Sequence, residues 1–165
     1  EGEIAYAPRT ENYHYEMELV FALKSGGTNI AQDEALSHIY GCAAGLDMTR
    51  RDLQNKAKEN RKPWDTAKDV DESAVITPLR QMADVPSVGA GRIHLSQNGT
   101  VKQDADLSEM VWSVPEIIAD LSTMYTLQQG DVIYMGTPAG VGAVARGDVL
   151  TGGVEGIGDF EVKIV

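Results

Sequence analysis

Aromatic and branched residues crowd into Tyr13-His14-Tyr15-Glu16-Met17-Glu18-Leu19-Val20-Phe21-Ala22-Leu23, a run closed by Ser25-Gly26-Gly27. That composition, ending in a turn signal, predicts a β-strand over 13–23. The small apolar run Gly41–Leu46 predicts a tightly packed strand, and further strands are expected at Ala74–Pro78, Gly130–Met135, Gly147–Leu150 and Phe160–Val165. Asn98-Gly99 between two alternating segments, Arg92–Gln97 and Thr100–Gln103, is the strongest short signal for a type I′ hairpin. His94, between Ile93 and Leu95, falls on the exposed face of that hairpin.

Helical spacing appears in three places. Ala35, Leu36, Ile39 and Tyr40 give an amphipathic pattern over Gln32–Tyr40, with acidic residues at its start, Gly41 at its end and His38 on its polar side. Asp47–Lys58 also reads as a helix, with Asp47, Arg51, Gln54 and Lys58 on one face. Ser113 and Glu116 form a capping box opening a third helix, whose buried stripe would be Ile117, Ile118, Leu121 and Met124. Residues 1–12, 61–66 and 81–90 read as irregular.

Composition narrows the class. At 165 residues, with 42% hydrophobic and 24% charged, the chain suits one ordinary domain with a real core. A net charge of −11 and the lack of a polybasic stripe argue against a nucleic-acid partner. No apolar run approaches a membrane span. The single cysteine, Cys42, sits within the small apolar strand as filler, precludes an internal disulfide framework and suits a reducing cytoplasm.

The chemistry begins with Glu16 and Glu18. Two apart on a strand, they project to one side. Either that face is wet, or the two carboxylates share a divalent cation that relieves their repulsion and their cost of burial. The Asp47/Arg51/Gln54/Lys58 face is open to the same pair of readings, a solvated helix face or a working one. Asp69, Asp71 and Ser73 lack the glycine of a calcium loop, since Ala74 stands there. Gly136–Gly142 has neither a P-loop ending nor a G-x-G-x-x-G pattern. Its glycines are either conformational, or they offer backbone N–H groups and Thr137 to a carboxylate or enolate oxygen.

The order of these motifs resembles the fumarylacetoacetate hydrolase superfamily. They run from E-x-E through Asp-Met-Thr-Arg-Arg-Asp-Leu-Gln and Trp-Asp-Thr-Ala-Lys-Asp-Val-Asp to the Asn-Gly hairpin and Gly-Asp-Val-Ile-Tyr-Met-Gly-Thr-Pro-Ala-Gly-Val-Gly. The likeness extends from about residue 13 to the end, and Arg-Arg-Asp-Leu-Gln with Lys-Pro-Trp-Asp is most similar to its bacterial fumarylpyruvate and acylpyruvate hydrolases. The resemblance implies an α+β, mostly β fold, a mixed sandwich-like roll with a few short helices forming one catalytic domain over 1–165. It implies that Glu16, Glu18 and Asp47 hold Mg²⁺ or Mn²⁺. Arg51, as a carboxylate clamp, and Gln54 would face an oxo-acid substrate, Lys68 would stabilise enolate charge, and Thr137 with Gly136 would hold the substrate's other end. Asp71 matches a family position near the lysine. A cytoplasmic homodimer is the implied setting, and the implied reaction is hydrolytic C–C cleavage of an acylpyruvate.

One departure stands out. In this family the water-activating His–Glu pair comes from an N-terminal lid before the E-x-E strand, and nothing before Glu16 here supplies it except His14, which is read as structural. The chain opens at Glu1 rather than Met, so an upstream lid is expected to be missing from it. Without the pair, oxaloacetate decarboxylation, isomerisation of an oxo-diacid, or a silent metal and oxo-acid binding module are the alternatives.

Overall fold

The computed structural model describes residues 2–165. In chain order the strands are β1 (Gly2–Ile4), β2 (Tyr13–Tyr15), β3 (Met17–Leu23), β4 (Ile39–Asp47), β5 (Thr49–Arg50), β6 (Ala74–Ile76) and β7 (Arg80–Gln81). They continue with β8 (Arg92–Gln97), β9 (Thr100–Asp106), β10 (Val132–Tyr134), β11 (Gly142–Ala143), β12 (Val149–Val154) and β13 (Gly158–Ile164). Three short helices interrupt them: α1 (Arg51–Glu59), α2 (Asp65–Lys68) and α3 (Val114–Met124). This is the mostly β, mixed α+β roll that the sequence implies.

One five-stranded sheet has the order β1-β13-β12-β8-β9, and a second runs β10-β3-β4-β6 with β7 also on β4. A three-stranded sheet, β11-β2-β5, lies at the end of the second. β3 and β4 pack against β8, β12 and β13. Leu19, Phe21, Leu46, Leu95, Leu150 and Ile164 are almost wholly excluded from water in the core these sheets enclose.

β3 is central and buried at every position, which is why its apolar run does not alternate. β4 beside it must be small. A Cβ on Gly45 would come within 2.6 Å of Val20 Cγ2 and 2.7 Å of Val75 O. The hairpin forms as its sequence dictates, with Asn98 at φ 51° and Gly99 at φ 77° in the left-handed region that a type I′ turn needs.

Several expectations are corrected. The strand over 13–23 breaks at Glu16, so β2 and β3 join different sheets. The amphipathic pattern over 32–40 yields only a 3₁₀ turn at Ala35–His38. Leu36 and Tyr40 are exposed there, and Ile39 already belongs to β4. Asp47 ends β4 rather than opening a helix; α1 starts at Arg51. The capping box on α3 is present, but the helix buries Val114, Ile118 and Ser122 while Met124 is exposed. The irregular lead-in contains β1, paired in parallel with β13; its first residue, Glu1, lies outside the described residues. The stretch 81–90 holds the end of β7 and a 3₁₀ turn at Met82–Asp84. His94 is half-buried rather than exposed, between β9 and β12.

Candidate metal centre

The break at Glu16 makes the site. Glu16 leaves β2 and Glu18 enters β3, and the neighbouring strand β4 delivers Asp47 at its end, where Asp47 N–H donates to Glu16 O at 2.9 Å. The three side chains each offer a carboxylate oxygen, and these atoms lie within 4.8 Å of one another. The even face of this strand is therefore not wet: Glu18 is 3% exposed and Glu16 8%.

Cations surround the cluster. Lys68, the last residue of α2, donates from Nζ to Glu16 Oε2 at 2.6 Å and also to Asp47 Oδ2. Arg51, the first residue of α1, donates to Glu16 Oε1 and, at 2.6 Å, to Gln54 Oε1 one turn on. Gln54 is buried and points with Arg51 into the site, whereas Lys58 stacks over Trp64 at 4.6 Å. The expected helix face thus loses Asp47 to the strand and Lys58 to the surface. Asp47, Arg51 and Gln54 still converge, because β4, β5 and α1 follow one another without a loop.

The electrostatics follow from burial. Desolvation pushes the Glu18 carboxyl up to about 7, helped by the charges of Asp47 and Glu16 and opposed by the Gly136 N–H and Lys68. Asp47 is also raised by burial, against the hydrogen bond from Lys68. Desolvation alone would lower the Lys68 ammonium, but its two carboxylate partners raise it. Burial, with Asp47 and Glu18 nearby, carries the Tyr134 phenol up to about 12. Buried Glu16 and Glu18 with half-buried Asp47 form a hard-oxygen donor set, countered by Lys68 and Arg51, and that set fits Mg²⁺ or Mn²⁺.

The glycine-rich turn stands over this cluster. Gly136, at φ 91°, donates its N–H to Glu18 Oε2 at 2.6 Å. That amide is committed to the carboxylate rather than offered to a substrate. Thr137 Oγ1 accepts from Gln103 Nε2 at 2.8 Å. Gly136 and Thr137 also line a cavity of about 510 Å³ with Leu19, Leu107, Trp112 and Ile117. Asp71 is exposed. His14 is half-buried, its Nε2 2.7 Å from Asn12 Oδ1; burial, with Arg51 nearby, lowers its imidazole.

Residue-by-residue reading of the sequence missed the supports. Arg50, 9% exposed, donates to Pro8 O at 3.2 Å, to Thr66 O and to Asp69 O at 3.3 Å, which ties α2 and hence Lys68 to β5. Ser73 Oγ donates to Lys68 O at 2.9 Å from the other side. The doubled arginine after Thr49 was the only visible hint, and nothing in it says which of the two turns inward.

Carboxylates on a strand break, a lysine bridging two of them and a glycine turn capping the third could hold a divalent cation, the arrangement expected of a fumarylacetoacetate hydrolase. The chain belongs to that family: residues 1–165 match the fumarylacetoacetate (FAA) hydrolase C-terminal domain. Within it, the chain is 52% identical over 161 residues to a fumarylpyruvate hydrolase of Ralstonia sp, a match covering 98% of this chain and 83% of that protein. It superposes at a TM-score of 0.96 on the crystal structure of fumarylpyruvate hydrolase from Pseudomonas aeruginosa in complex with Mn²⁺ and pyruvate. That structure is 43% identical, and the match covers 99% of this chain and 70% of the other. A mitochondrial oxaloacetate tautomerase of Rattus norvegicus is 34% identical over 169 residues, covering 97% of this chain and 76% of that protein.

Proposed function

We propose that this chain is the catalytic domain of a divalent-cation-dependent acylpyruvate hydrolase, acting on a 2,4-dioxo acid such as fumarylpyruvate. Water adds to the C4 carbonyl, the C3–C4 bond breaks, and its electron pair passes to C3 as the enolate of pyruvate. Protonation then gives pyruvate beside a carboxylic acid. The observation that carries this reading is the Glu16/Glu18/Asp47 cluster, its two glutamates buried, with Lys68 bridging two of its members.

Glu16, Glu18 and Asp47 hold the cation, Mg²⁺ or Mn²⁺. When bound, it would supply Lewis acidity to the oxo acid. Without the cation, the two carboxylate partners of Lys68 raise its affinity for its proton, and its ammonium would face the developing enolate as an electrostatic stabiliser. Arg51 and Gln54 orient the substrate from α1, Arg51 as a carboxylate clamp. Thr137 supplies a hydroxyl from the opposite side, with the Gly136 turn setting its place. Binding and charge stabilisation are the roles assigned to these residues.

The working form is a cytoplasmic homodimer. Exposed Val111, Trp112, Met124 and Tyr125 at the two ends of α3 support an interface there, and sedimentation equilibrium tests it. A decarboxylase or isomerase of an oxo-diacid is the second reading, favoured by the likeness to the oxaloacetate tautomerase.

The deciding experiment is pyruvate release from fumarylpyruvate with Mn²⁺, with Mg²⁺ and with EDTA, beside Glu16→Ala. Cation-dependent release that Glu16→Ala abolishes is the expected result. Consumption of oxaloacetate without release from fumarylpyruvate moves the assignment to the second reading.

A further inference from the structure

Gln103 is fully buried in a strand whose other residues are exposed or half-exposed. A bulge puts it there: the β8–β9 register slips between Leu95 and Ser96, leaving Lys102 unpaired and turning Gln103 inward. Its side chain reaches two distant pieces of the metal centre. Oε1 accepts from Met17 N–H at 3.1 Å, between the two glutamates of the E-x-E motif. Nε2 donates to Pro138 O at 2.9 Å and to Thr137 Oγ1 at 2.8 Å.

These partners fix the amide's orientation. A backbone N–H can only donate and a backbone carbonyl can only accept, so the oxygen must face Met17 and the nitrogen Pro138. The second N–H then has one partner, the Thr137 hydroxyl, which is obliged to accept. A hydroxyl carries one proton, and among the described residues no acceptor is hydrogen-bonded to that of Thr137. Gln103 thereby makes Thr137 a dedicated donor. The turn is seated on the same bulge, for a Cβ on Gly140 would lie 2.1 Å from Lys102 O.

We propose that Gln103 is a positioning residue: it sets the distance between the Glu16–Glu18 strand and the Thr137 turn and reserves the Thr137 proton for an oxygen of the bound oxo acid. It touches no substrate. The inference rests on Thr137 as a substrate contact, and its test does not need turnover.

The test is calorimetric titration of oxalate, a planar mimic of the pyruvate enolate, into Mn²⁺-loaded protein, with Mn²⁺ affinity measured separately by electron paramagnetic resonance. Gln103→Met and Thr137→Val are each expected to weaken oxalate about tenfold, the scale of one hydrogen bond to a charged acceptor. Mn²⁺ affinity should stay within about threefold, because no cation ligand is removed. The double variant should bind oxalate no more weakly than the worse single one, since an undirected hydroxyl is already lost. Thr137→Ser should retain binding. If Gln103→Met fails to fold by circular dichroism, Gln103→Glu replaces it: a carboxylate must accept from Thr137, and the same loss is expected. Unchanged oxalate affinity in the folded Gln103 variant, or additive losses in the double one, overturns the proposal. So does Thr137→Val binding oxalate normally. Wild-type protein that binds oxalate but cleaves no acylpyruvate removes the hydrolase reading and leaves the Gln103 result standing.

Discussion

Lys68 Nζ lies 2.6 Å from Glu16 Oε2, and the same ammonium reaches Asp47. One positive charge is thus divided between two carboxylates that arrive on different strands. The Lys68 side chain is 29% exposed, which leaves the ammonium some solvent screening, whereas Glu16 at 10% depends on its partners for neutralisation.

Lys68→Met should therefore cut acylpyruvate turnover by about a hundredfold or more, the usual effect of removing one electrostatic stabiliser of a developing oxyanion. With Mn²⁺ bound the thermal midpoint should move by only a few degrees, because the cation then neutralises the carboxylates that Lys68 pairs with. Steady-state kinetics beside a melting curve checks both, and undiminished kcat would remove Lys68 from the reaction.

The buried carboxylates repel one another, so the protein should be more stable with the cation than without it. At a Mn²⁺ concentration about a hundred times Kd, the gain is about 2.7 kcal/mol. Glu18→Gln should lose most of that gain while melting, without metal, no lower than the parent, since it buries no charge. Differential scanning fluorimetry with and without EDTA reads this. An equal Mn²⁺ shift in Glu18→Gln would exclude Glu18 as a ligand.

Asp148 provides the pH dependence. Burial alone would raise its carboxyl, but the Ala145 N–H and the Asn98 and Gln97 amides outweigh that and hold it below the usual carboxylate range. The last two bonds are 2.8 Å and 2.6 Å long. With the folded value below the unfolded one, the contribution is fully present above about pH 4 and disappears as pH falls through the folded value. Asp148→Asn should lower the urea midpoint at pH 7 and converge with the parent near pH 2. A constant offset across that range would refute the clamp.

Gly45 stands directly opposite Glu18 in the β3–β4 register. Gly45→Ala drives a methyl into Val20 and the Val75 carbonyl, and overpacking of this kind costs about 1–3 kcal/mol. Chemical denaturation measures it. A neutral effect would show that β4 can shift without strain.

How much could be read from the residues alone divides along physical lines. The Asn98-Gly99 hairpin and the Ser113–Glu116 capping box are local chemistry, and both formed as written. The carboxylate pair and the Asp47/Arg51/Gln54 set were visible as spacings, and the resemblance added Lys68 and the roles. Helical periodicity misled at 32–40 and at 47–50, where apolar and charged residues recur at helix spacing by accident and sheet pairing wins. Gln103 carried no signal at all. In a polar strand one amide looks like its neighbours, and only a bulge made by Lys102 decides that it faces inward.

The bond from Gly136 to Glu18 spans 118 residues, and that from Gln103 to Met17 spans 86. A ribosome that has released residue 135 has already made every charged group of the centre, yet neither the amide that steadies Glu18 nor the turn that faces it. Contacts of such separation form late, because long loops must close first. Holding a cation would therefore call on the chain through the glycine turn: a molecule cut before residue 136 carries Glu16, Glu18 and Asp47 but lacks the amide that holds Glu18.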